Sequence, residues 1–280
     1  MPNWGRRVRV EVLGTLRGEA AGVSVLPSAS KPRQILALLA LNAQHIVPVP
    51  VLMEELWGAG PPRSAPTTLQ TYILQLRRRL RSAIPESTGV WDKNVLVTRH
   101  GGYLLDVEPA DVDALEFDRL AGAGHTAFEL GDMARASRNL TAAIELWRGP
   151  ALADVPHGRH IGIEVTRLQE SRLGALERRI GADLQLGRHR EVLGELCALC
   201  ERHPMHESLR ALQMLAYCAD GRSSDALVAY KRLRETLVEE LGLEPSPRTQ
   251  RLHQAILRGE EAIDEWSGRG RMDGDGVLTV

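Results

Sequence analysis

The chain has 280 residues, of which 43% are hydrophobic and 25% are charged, so it is long enough for two domains of ordinary globular composition. Residues 1–110 hold 13 Lys/Arg against 8 Asp/Glu, whereas residues 111–280 hold 22 against 28. This split predicts contact with a polyanion in the first part and a different task in the second. Three cysteines argue against a disulfide framework, and the longest apolar run, residues 35–41, is too short to span a bilayer. The first residues lack the apolar segment of a signal peptide, so we expect a cytoplasmic protein.

Strands and two helices are predicted at the start of the chain. Valine alternates with charged residues over Val8–Val12, which is the period of a half-buried strand, and residues 23–25 predict another short one. A helix is predicted to open at Lys31, because the proline that follows is well tolerated in a first helical turn. A second short helix is predicted after Pro50, and the glycines and prolines of residues 58–62 end it.

The third predicted helix, residues 65–83, is the most informative segment. Apolar residues at spacings i, i+4, i+7 and i+11 form one stripe that predicts a buried face, made of Leu69, Ile73, Leu76 and Leu80. The opposite face carries hydroxyls, an amide, an apolar residue and an arginine, namely Thr67, Thr71, Leu74, Gln75, Arg78 and Ser82. Further arginines flank that face, namely Arg77, Arg79 and Arg81.

Two β-rich runs, residues 95–98 and 103–107, follow a predicted loop at residues 85–89. The residues between the two runs, Arg99-His100-Gly101-Gly102, predict a hairpin. The predicted order is therefore strands, three helices and a hairpin, which is the order of a winged helix.

The exposed face of the third helix has the chemistry of a DNA contact, because the major groove admits one α-helix. Its amide suits adenine or a phosphate, its hydroxyls suit phosphates or base edges, and its exposed leucine suits a thymine methyl. The arginines suit phosphates and guanines, and the hairpin tip can reach an adjacent groove. The predicted DNA-contacting residues are Gln75, Thr67, Thr71, Leu74, Arg77, Arg78, Arg81, Arg99 and His100. For the helix taken by itself, a solvated basic surface is the alternative.

From residue 111 onward every predicted element is a helix, near 113–129, 133–147, 163–186, 189–202, 206–219, 222–241 and 247–258. Gly187-Arg188 recurs 34 residues later as Gly221-Arg222, which is the period of tetratricopeptide (TPR) helix pairs. The predicted domains are a winged helix over residues 1–108, an all-helical domain over residues 109–262, and a disordered tail over residues 263–280.

The sequence gives little indication of a metal site or of a catalytic site. The spacing Cys197-x2-Cys200-x2-His203-x2-His206 is similar to a metal site, but zinc fingers separate their ligand pairs by a long stretch. We interpret the first two cysteines as small hydrophobic residues on an apolar helix, and expect neither a metal nor a cofactor. The sequence contains no P-loop, no G-x-S-x-G and no H-E-x-x-H motif, so it predicts no enzyme.

Two functional hypotheses remain. In one, the chain is a DNA-binding transcription regulator. In the other, it is a protein–protein adaptor whose TPR-like helices hold a peptide on a concave surface and whose N-terminal domain is a structural cap. The charge split and the arginine-lined third helix favour DNA binding.

Several blocks of sequence, in order, resemble the Streptomyces antibiotic regulatory protein family. They are KPRQILALLALN (31–42), ELWG (55–58), PPRSA (61–65), TLQTYI (68–73), LRRRL (76–80), GGYLL (101–105), LWRGPALADV (146–155), HP (203–204) and EELGLEPSP (239–247). The resemblance covers residues 8–260 and implies an α+β winged helix of the response-regulator (OmpR-like) type, followed by an all-α, TPR-like bacterial transcriptional activation domain.

The resemblance also implies a function. Members of this family activate antibiotic biosynthesis clusters, bind direct repeats beside the −35 element, and recruit RNA polymerase holoenzyme partly through its sigma factor. Many members bind as pairs on tandem sites. The loop at 57–66 matches the segment that faces polymerase in this family, so the predicted polymerase contacts are Trp57, Gly58, Pro61, Pro62 and Arg63.

Overall fold

The computed structural model describes residues 8–83 and 95–259. The predicted tail over residues 263–280 and the predicted loop at residues 85–89 lie outside the described residues. The chain forms two compact units: one contains the described residues up to Ala123 together with Asn139–Ala175, and the other contains Gly124–Arg138 together with the described residues from Leu176 on. The domain boundaries that the sequence suggests stay a prediction.

The N-terminal sheet has three antiparallel strands in the order β1 (Val8–Glu11), β2 (Arg17–Ala20) and β3 (Val23–Ser24). Val8 and Val10 are buried while Arg9 is exposed, which confirms the predicted alternation of β1. The β2–β3 hairpin turns through Ala21 and Gly22, and both have positive φ, as the tight two-residue turn requires. The sequence did not predict β2, because Arg-Gly-Glu-Ala has no apolar run.

Three helices follow, and they form the core beneath the candidate site. They are α1 (Ser30–Leu41), α2 (Val49–Trp57) and α3 (Ala65–Ala83). The apolar stripe predicted for α3 is buried along its whole length, since Leu69, Ile73, Leu76 and Leu80 are between 1% and 5% exposed. This stripe fixes the rotation of α3, so that its polar side faces outward.

The second sheet forms the wing, which comprises β5 (Leu96–Arg99), a two-residue turn, and β6 (Gly102–Leu105). The strand order is β4-β6-β5, where β4 is the short strand Val47–Pro48. A Cβ on Gly102 would lie 2.4 Å from the carbonyl oxygen of Val47, so this position has room only for glycine. The predicted hairpin is confirmed, with strand ends displaced by one or two residues.

The rest of the described chain is helical. The helices are α4 (Asp113–Glu129), α5 (Met133–Glu145), α6 (Arg159–Gln185), α7 (His189–Arg202), α8 (Glu207–Ala219), α9 (Ser223–Leu241) and α10 (Pro247–Arg258). A single 3-10 turn, Pro109–Asp111, precedes α4. These bounds agree closely with the predicted helices, although α6 begins four residues earlier than predicted.

The repeated glycines end three of these helices in the same way. Gly131, Gly187 and Gly221 have φ between 73° and 80°, a conformation that glycine adopts without a Cβ clash. At each one, the glycine N–H bonds the carbonyl three residues earlier, and the next N–H bonds the carbonyl five residues before it. This pair of bonds closes the helix end and allows the next helix to start at once, which explains the recurring sequence pattern.

An acidic residue beyond the winged helix holds the end of β1. The backbone N–H groups of Val12 and Leu13 donate to the buried Asp113 carboxylate at 2.7 and 3.0 Å. Arg148 lies beside the same carboxylate, with 3.5 Å between its Nη2 and Oδ2. Asp113, at the start of α4, therefore satisfies the backbone N–H groups that follow β1, and both partners belong to the same compact unit.

The three cysteines are free thiols, and burial raises the pKa of Cys200 to about 11. This thiol is therefore protonated and unreactive at neutral pH. No group of three or more His, Cys, Asp or Glu residues within 8–83 and 95–259 is arranged to hold a metal ion. In the same part of the chain, no helix has the length and apolarity needed to cross a bilayer.

Candidate nucleic-acid interface

Helix α3 presents an exposed face that contains most of the predicted contact residues. Thr67, Thr71, Leu74, Gln75, Arg78 and Arg81 are all exposed, directly opposite the buried stripe. The aliphatic side chain of Leu74 is 48% exposed, so this face also offers an apolar surface. An outward surface with an amide, two hydroxyls, an aliphatic group and two guanidinium groups can meet both base edges and phosphates.

Arg77 has a different position from the other predicted arginines. It is half-buried, and its Nε and Nη2 donate hydrogen bonds to Leu96 O at 3.0 Å and Thr98 Oγ1 at 2.7 Å. Both acceptors lie on β5, so Arg77 joins α3 to the wing. The residue thereby sets the position of the wing relative to the exposed face of α3.

Arg79 joins α3 to a second neighbour. Its Nη1 donates to Leu26 O at 2.9 Å, in the segment that leads into α1. Arg78 and Arg81 are exposed, and neither makes an ion pair with any residue in the described part of the chain. Of the four arginines at positions 77, 78, 79 and 81, two therefore bond backbone carbonyls of neighbouring segments, and two make no ion pair in the described part of the chain.

The wing tip carries the remaining predicted contacts. Arg99 and His100 are exposed at the turn between β5 and β6, and Gly101 completes this turn with φ of +79°. Because Arg77 fixes β5 against α3, the tip has a defined position relative to the exposed helix face.

The charged side chains of α1 and α3 are all basic. Neither α1 nor α3 contains an aspartate or glutamate, and the sequence has no acidic residue between Glu55 and Glu86. Exposed arginines in such a stretch attract a polyanion over a distance of about 8–10 Å at physiological salt. The electrostatics therefore favour duplex DNA over a neutral or cationic ligand.

The segment predicted to face polymerase is exposed between α2 and α3. Trp57 is half-buried at the end of α2, with Lys31 Nζ 4.5 Å from its ring centroid. Gly58 turns the chain with φ of +61°, and every residue from Gly58 to Ser64 is exposed. The loop is thus anchored at Trp57 and accessible beyond it.

Comparison with known proteins assigns both parts of the chain. Residues 25–105 match the family described as transcriptional regulatory protein, C terminal, and residues 112–257 match the family described as bacterial transcriptional activator domain. The regulatory protein DnrI of Streptomyces peucetius is 54% identical over 92% of this chain and 94% of its own length. The regulatory protein AfsR of Streptomyces coelicolor is 36% identical over 93% of this chain, which spans only 25% of that larger protein.

A solved structure shows the same architecture. The chain of Mycobacterium tuberculosis EmbR, in complex with a low-affinity phosphopeptide, superposes with a TM-score of 0.86 at 32% identity, covering 94% of this chain and 68% of that one. The predicted fold, a winged helix followed by an all-helical domain, is confirmed. The prediction that the chain is not an enzyme agrees with a family of transcription regulators. The chain belongs to the Streptomyces antibiotic regulatory protein family, and it is a DNA-binding transcriptional regulator whose OmpR-like winged helix precedes a bacterial transcriptional activator domain.

Proposed function

We propose that this regulator activates a secondary-metabolite (antibiotic) biosynthesis cluster, by binding direct repeats near the −35 element and recruiting RNA polymerase holoenzyme. The observation that carries the proposal is the exposed face of α3, which combines an amide, hydroxyls and an aliphatic side chain with arginines that make no ion pair in the described part of the chain. The 54% identity to DnrI over nearly its whole length supports the same biological role. We place this activity in the cytoplasm, where promoter DNA and polymerase are found.

In this proposal, the middle of α3 reads bases. The Gln75 amide can bond adenine through both its oxygen and its nitrogen, and the exposed Leu74 packs against a thymine methyl. The hydroxyl of Thr71 donates to Thr67 O at 3.0 Å, which leaves its oxygen lone pairs as acceptors toward a base edge. These contacts give the sequence preference, because the pattern of donors, acceptors and methyl groups in the major groove is specific to each base pair.

The arginines and the wing supply affinity. Arg78 and Arg81 are exposed and bind backbone phosphates or guanines beside the groove that α3 enters. Arg99 and His100 reach the adjacent groove from the wing tip. Arg77 contributes through the position of β5, and any contact it makes with DNA adds to that role.

Pairing on DNA follows from the proposed site. Direct repeats place two copies of the chain in the same orientation, so neighbouring copies meet through two different surfaces. Holoenzyme, including its sigma factor, contacts the loop at residues 57–66, with Trp57, Gly58, Pro61, Pro62 and Arg63 as the contact residues. The exposure of every residue from Gly58 to Ser64 supports the proposal.

A salt-series titration tests DNA binding. The full chain is titrated against its neighbouring promoter and against a scrambled duplex of equal length. Promoter preference with a steep salt dependence is expected, and replacing Arg81 by alanine should reduce the salt slope by about one. Equal weak binding to both duplexes, unchanged by the substitution, would remove the sequence-specific role. Absence of binding to either duplex would favour the adaptor hypothesis.

Transcription in vitro tests the polymerase contact. A Pro61→Ala, Pro62→Ala, Arg63→Ala variant should bind the promoter as the wild type does, yet activate less. Full activation by this variant would show that the loop is not the polymerase contact, whereas normal activation by wild type confirms that the assay is competent.

A further inference from the structure

A cleft of about 530 Å³ lies beside the exposed face of α3. One wall is the segment 27–29 that leads into α1, and the other is the C-terminal half of α3. The lining residues are Pro27, Ser28, Ala29, Gln75, Arg78, Arg79 and Ser82. The cleft therefore shares Gln75 and Arg78 with the surface proposed to meet DNA, and extends it toward α1.

The charge of the cleft comes entirely from guanidinium groups. The ionisable side chains that line it are Arg78 and Arg79, and no carboxylate is among the lining residues. The nearest helix start, that of α1, also has no acidic residue in its first turn. Guanidinium groups bind phosphate oxygens through paired N–H donors, so the cleft suits a tetrahedral oxyanion.

The position of Arg79 is fixed before any ligand arrives. Its Nη1 bonds Leu26 O at 2.9 Å, which holds the guanidinium at the wall nearest to α1. Ser82 Oγ donates to Arg79 O at 3.0 Å and thereby stays on the helix backbone. The exposed Ser28 provides a hydroxyl donor on the opposite wall. An anion in the cleft can therefore meet donors on both walls, and one of them, Arg79, is already held by a hydrogen bond.

We infer that this cleft is a phosphodiester clamp, in which Arg78, Arg79 and Ser28 hold one backbone phosphate of the DNA. The phosphate lies next to the base contacted by Gln75, because that residue belongs to both the cleft wall and the exposed face of α3. The clamp fixes how far α3 turns in the groove, and so sets which base Gln75 reads. This inference rests on the proposed DNA-binding function and adds a specific contact to it.

A duplex in which single phosphates are replaced by neutral methylphosphonates tests the clamp. The dissociation constants of the full-length wild type and an Arg78→Gln variant are measured for each substituted position. We expect one position in each repeat at which the neutral group weakens wild-type binding about tenfold but weakens binding by the variant much less. An Arg138→Gln variant, which changes an exposed arginine on α5, should show the wild-type pattern.

The outcomes separate the clamp from the function on which it rests. If the loss of binding free energy caused by Arg78→Gln and the loss caused by each neutral phosphate simply add, the clamp is wrong. This holds even if the wild type prefers its promoter. If one phosphate couples to Arg78 but the wild type binds promoter and scrambled duplexes equally, the clamp stands and the sequence-specific function falls. Circular dichroism of the variant confirms that it is folded.

A free anion has the same chemistry as a DNA phosphate, so a second arm distinguishes these sources. Inorganic phosphate and pyrophosphate are titrated into the protein without DNA, and backbone amide shifts are followed at residues 28–30 and 78–82. We expect no saturable shift below millimolar concentration, because a single phosphate lacks the rest of the DNA backbone. Saturation at micromolar phosphate or pyrophosphate would assign the cleft to a small anion and overturn the clamp.

Discussion

The backbone N–H of Gly158 donates a hydrogen bond of 2.7 Å to the carboxylate of Glu55, although 103 positions separate the two residues in the sequence. The same carboxylate accepts bonds from the N–H groups of His160 at 2.8 Å and Ile161 at 3.2 Å. Glu55 is only 3% exposed, so a buried side chain of α2 caps the first turn of α6. The winged helix therefore supplies the N-terminal cap of a helix in the activator domain.

Gly158 is predicted to be essential for this contact. A Cβ at this position would lie 2.3 Å from Glu55 O, so Gly158→Ala should lower the free energy of unfolding by about 1–3 kcal/mol through overpacking. Gly162→Ala is the matched control, because the added Cβ meets no atom within 4 Å. It should raise stability by roughly 0.5–1 kcal/mol, as alanine does in a helix. Chemical denaturation measures both, and equal effects of the two substitutions would contradict the proposed close contact.

Arg77 is predicted to act through the wing. Arg77→Gln removes two hydrogen bonds to β5, so the free energy of unfolding should fall by about 1–2 kcal/mol. Arg78→Gln, on the exposed side of the same helix, should change it by less than about 0.5 kcal/mol. Combining Arg77→Gln with Thr98→Val in a double-mutant cycle measures the bond between these side chains. If the two substitutions change the free energy of unfolding additively, the hydrogen bond between Arg77 and Thr98 contributes nothing to stability.

Leu74 is predicted to contribute to DNA binding and not to stability. Leu74→Ala should leave the free energy of unfolding within about 0.5 kcal/mol of the wild type, because the side chain is half exposed. It should weaken promoter binding by about 1 kcal/mol or more, roughly fivefold, because less apolar surface is buried against thymine. Leu130→Ala is the control, since Leu130 is 79% exposed and lies outside α3. Equal promoter affinities for the two variants would exclude Leu74 from the interface.

Glu207 is predicted to make the activator domain sensitive to acid. Burial raises the pKa of Glu207, but hydrogen bonds from Thr249 and Ser246 outweigh this effect and hold the pKa below its usual value. A lowered folded pKa gives stability that is present above the unfolded pKa, about 4.3, and is lost as the pH falls through the lower folded value.

Glu207→Gln tests this pH dependence. At pH 7 the variant should be less stable by about 1 kcal/mol or less, because the site is partly screened by water. The gap between wild type and variant should close as the pH falls below about 4. Unfolding titrations at a series of pH values measure the gap, with Glu239→Gln, at an exposed position of α9, as the control. If the stability difference between wild type and variant does not change with pH, the charge of the Glu207 carboxylate is not the source of that difference.

The sequence predicts the helices and the outward face of α3 well, because both depend on local periodicity. The stripe from Leu69 to Leu80 repeats with the helical period, and all four of its members are buried. The repeated glycines likewise mark helix ends, because only a positive φ allows the backbone bonds that close them. Short strands are harder to predict from the sequence. Strand β4 is two residues long and contains a proline, and it exists only through pairing with β6.

The separate roles of neighbouring arginines could not be predicted from the sequence. Arg77, Arg78 and Arg79 are chemically identical, yet one bonds β5, one is exposed and one bonds the segment before α1. The acceptors of the two bonded arginines include the backbone carbonyls of Leu96 and Leu26, which any residue type provides. Only the packing around α3 decides which of these arginines is held by a backbone carbonyl and which keeps all its N–H donors available to DNA.

The cap that Asp113 gives to Val12 and Leu13 limits how regulators of this kind can be recombined. A chimera that exchanges only residues 1–108 transfers α3 but leaves behind the Asp113 carboxylate that accepts hydrogen bonds from two backbone N–H groups. It also separates Glu55 from the backbone N–H groups at the start of α6 that its carboxylate caps. The segment that must be transferred intact is therefore longer than the winged helix, and grafts should carry the chain through at least residue 162 to preserve both contacts.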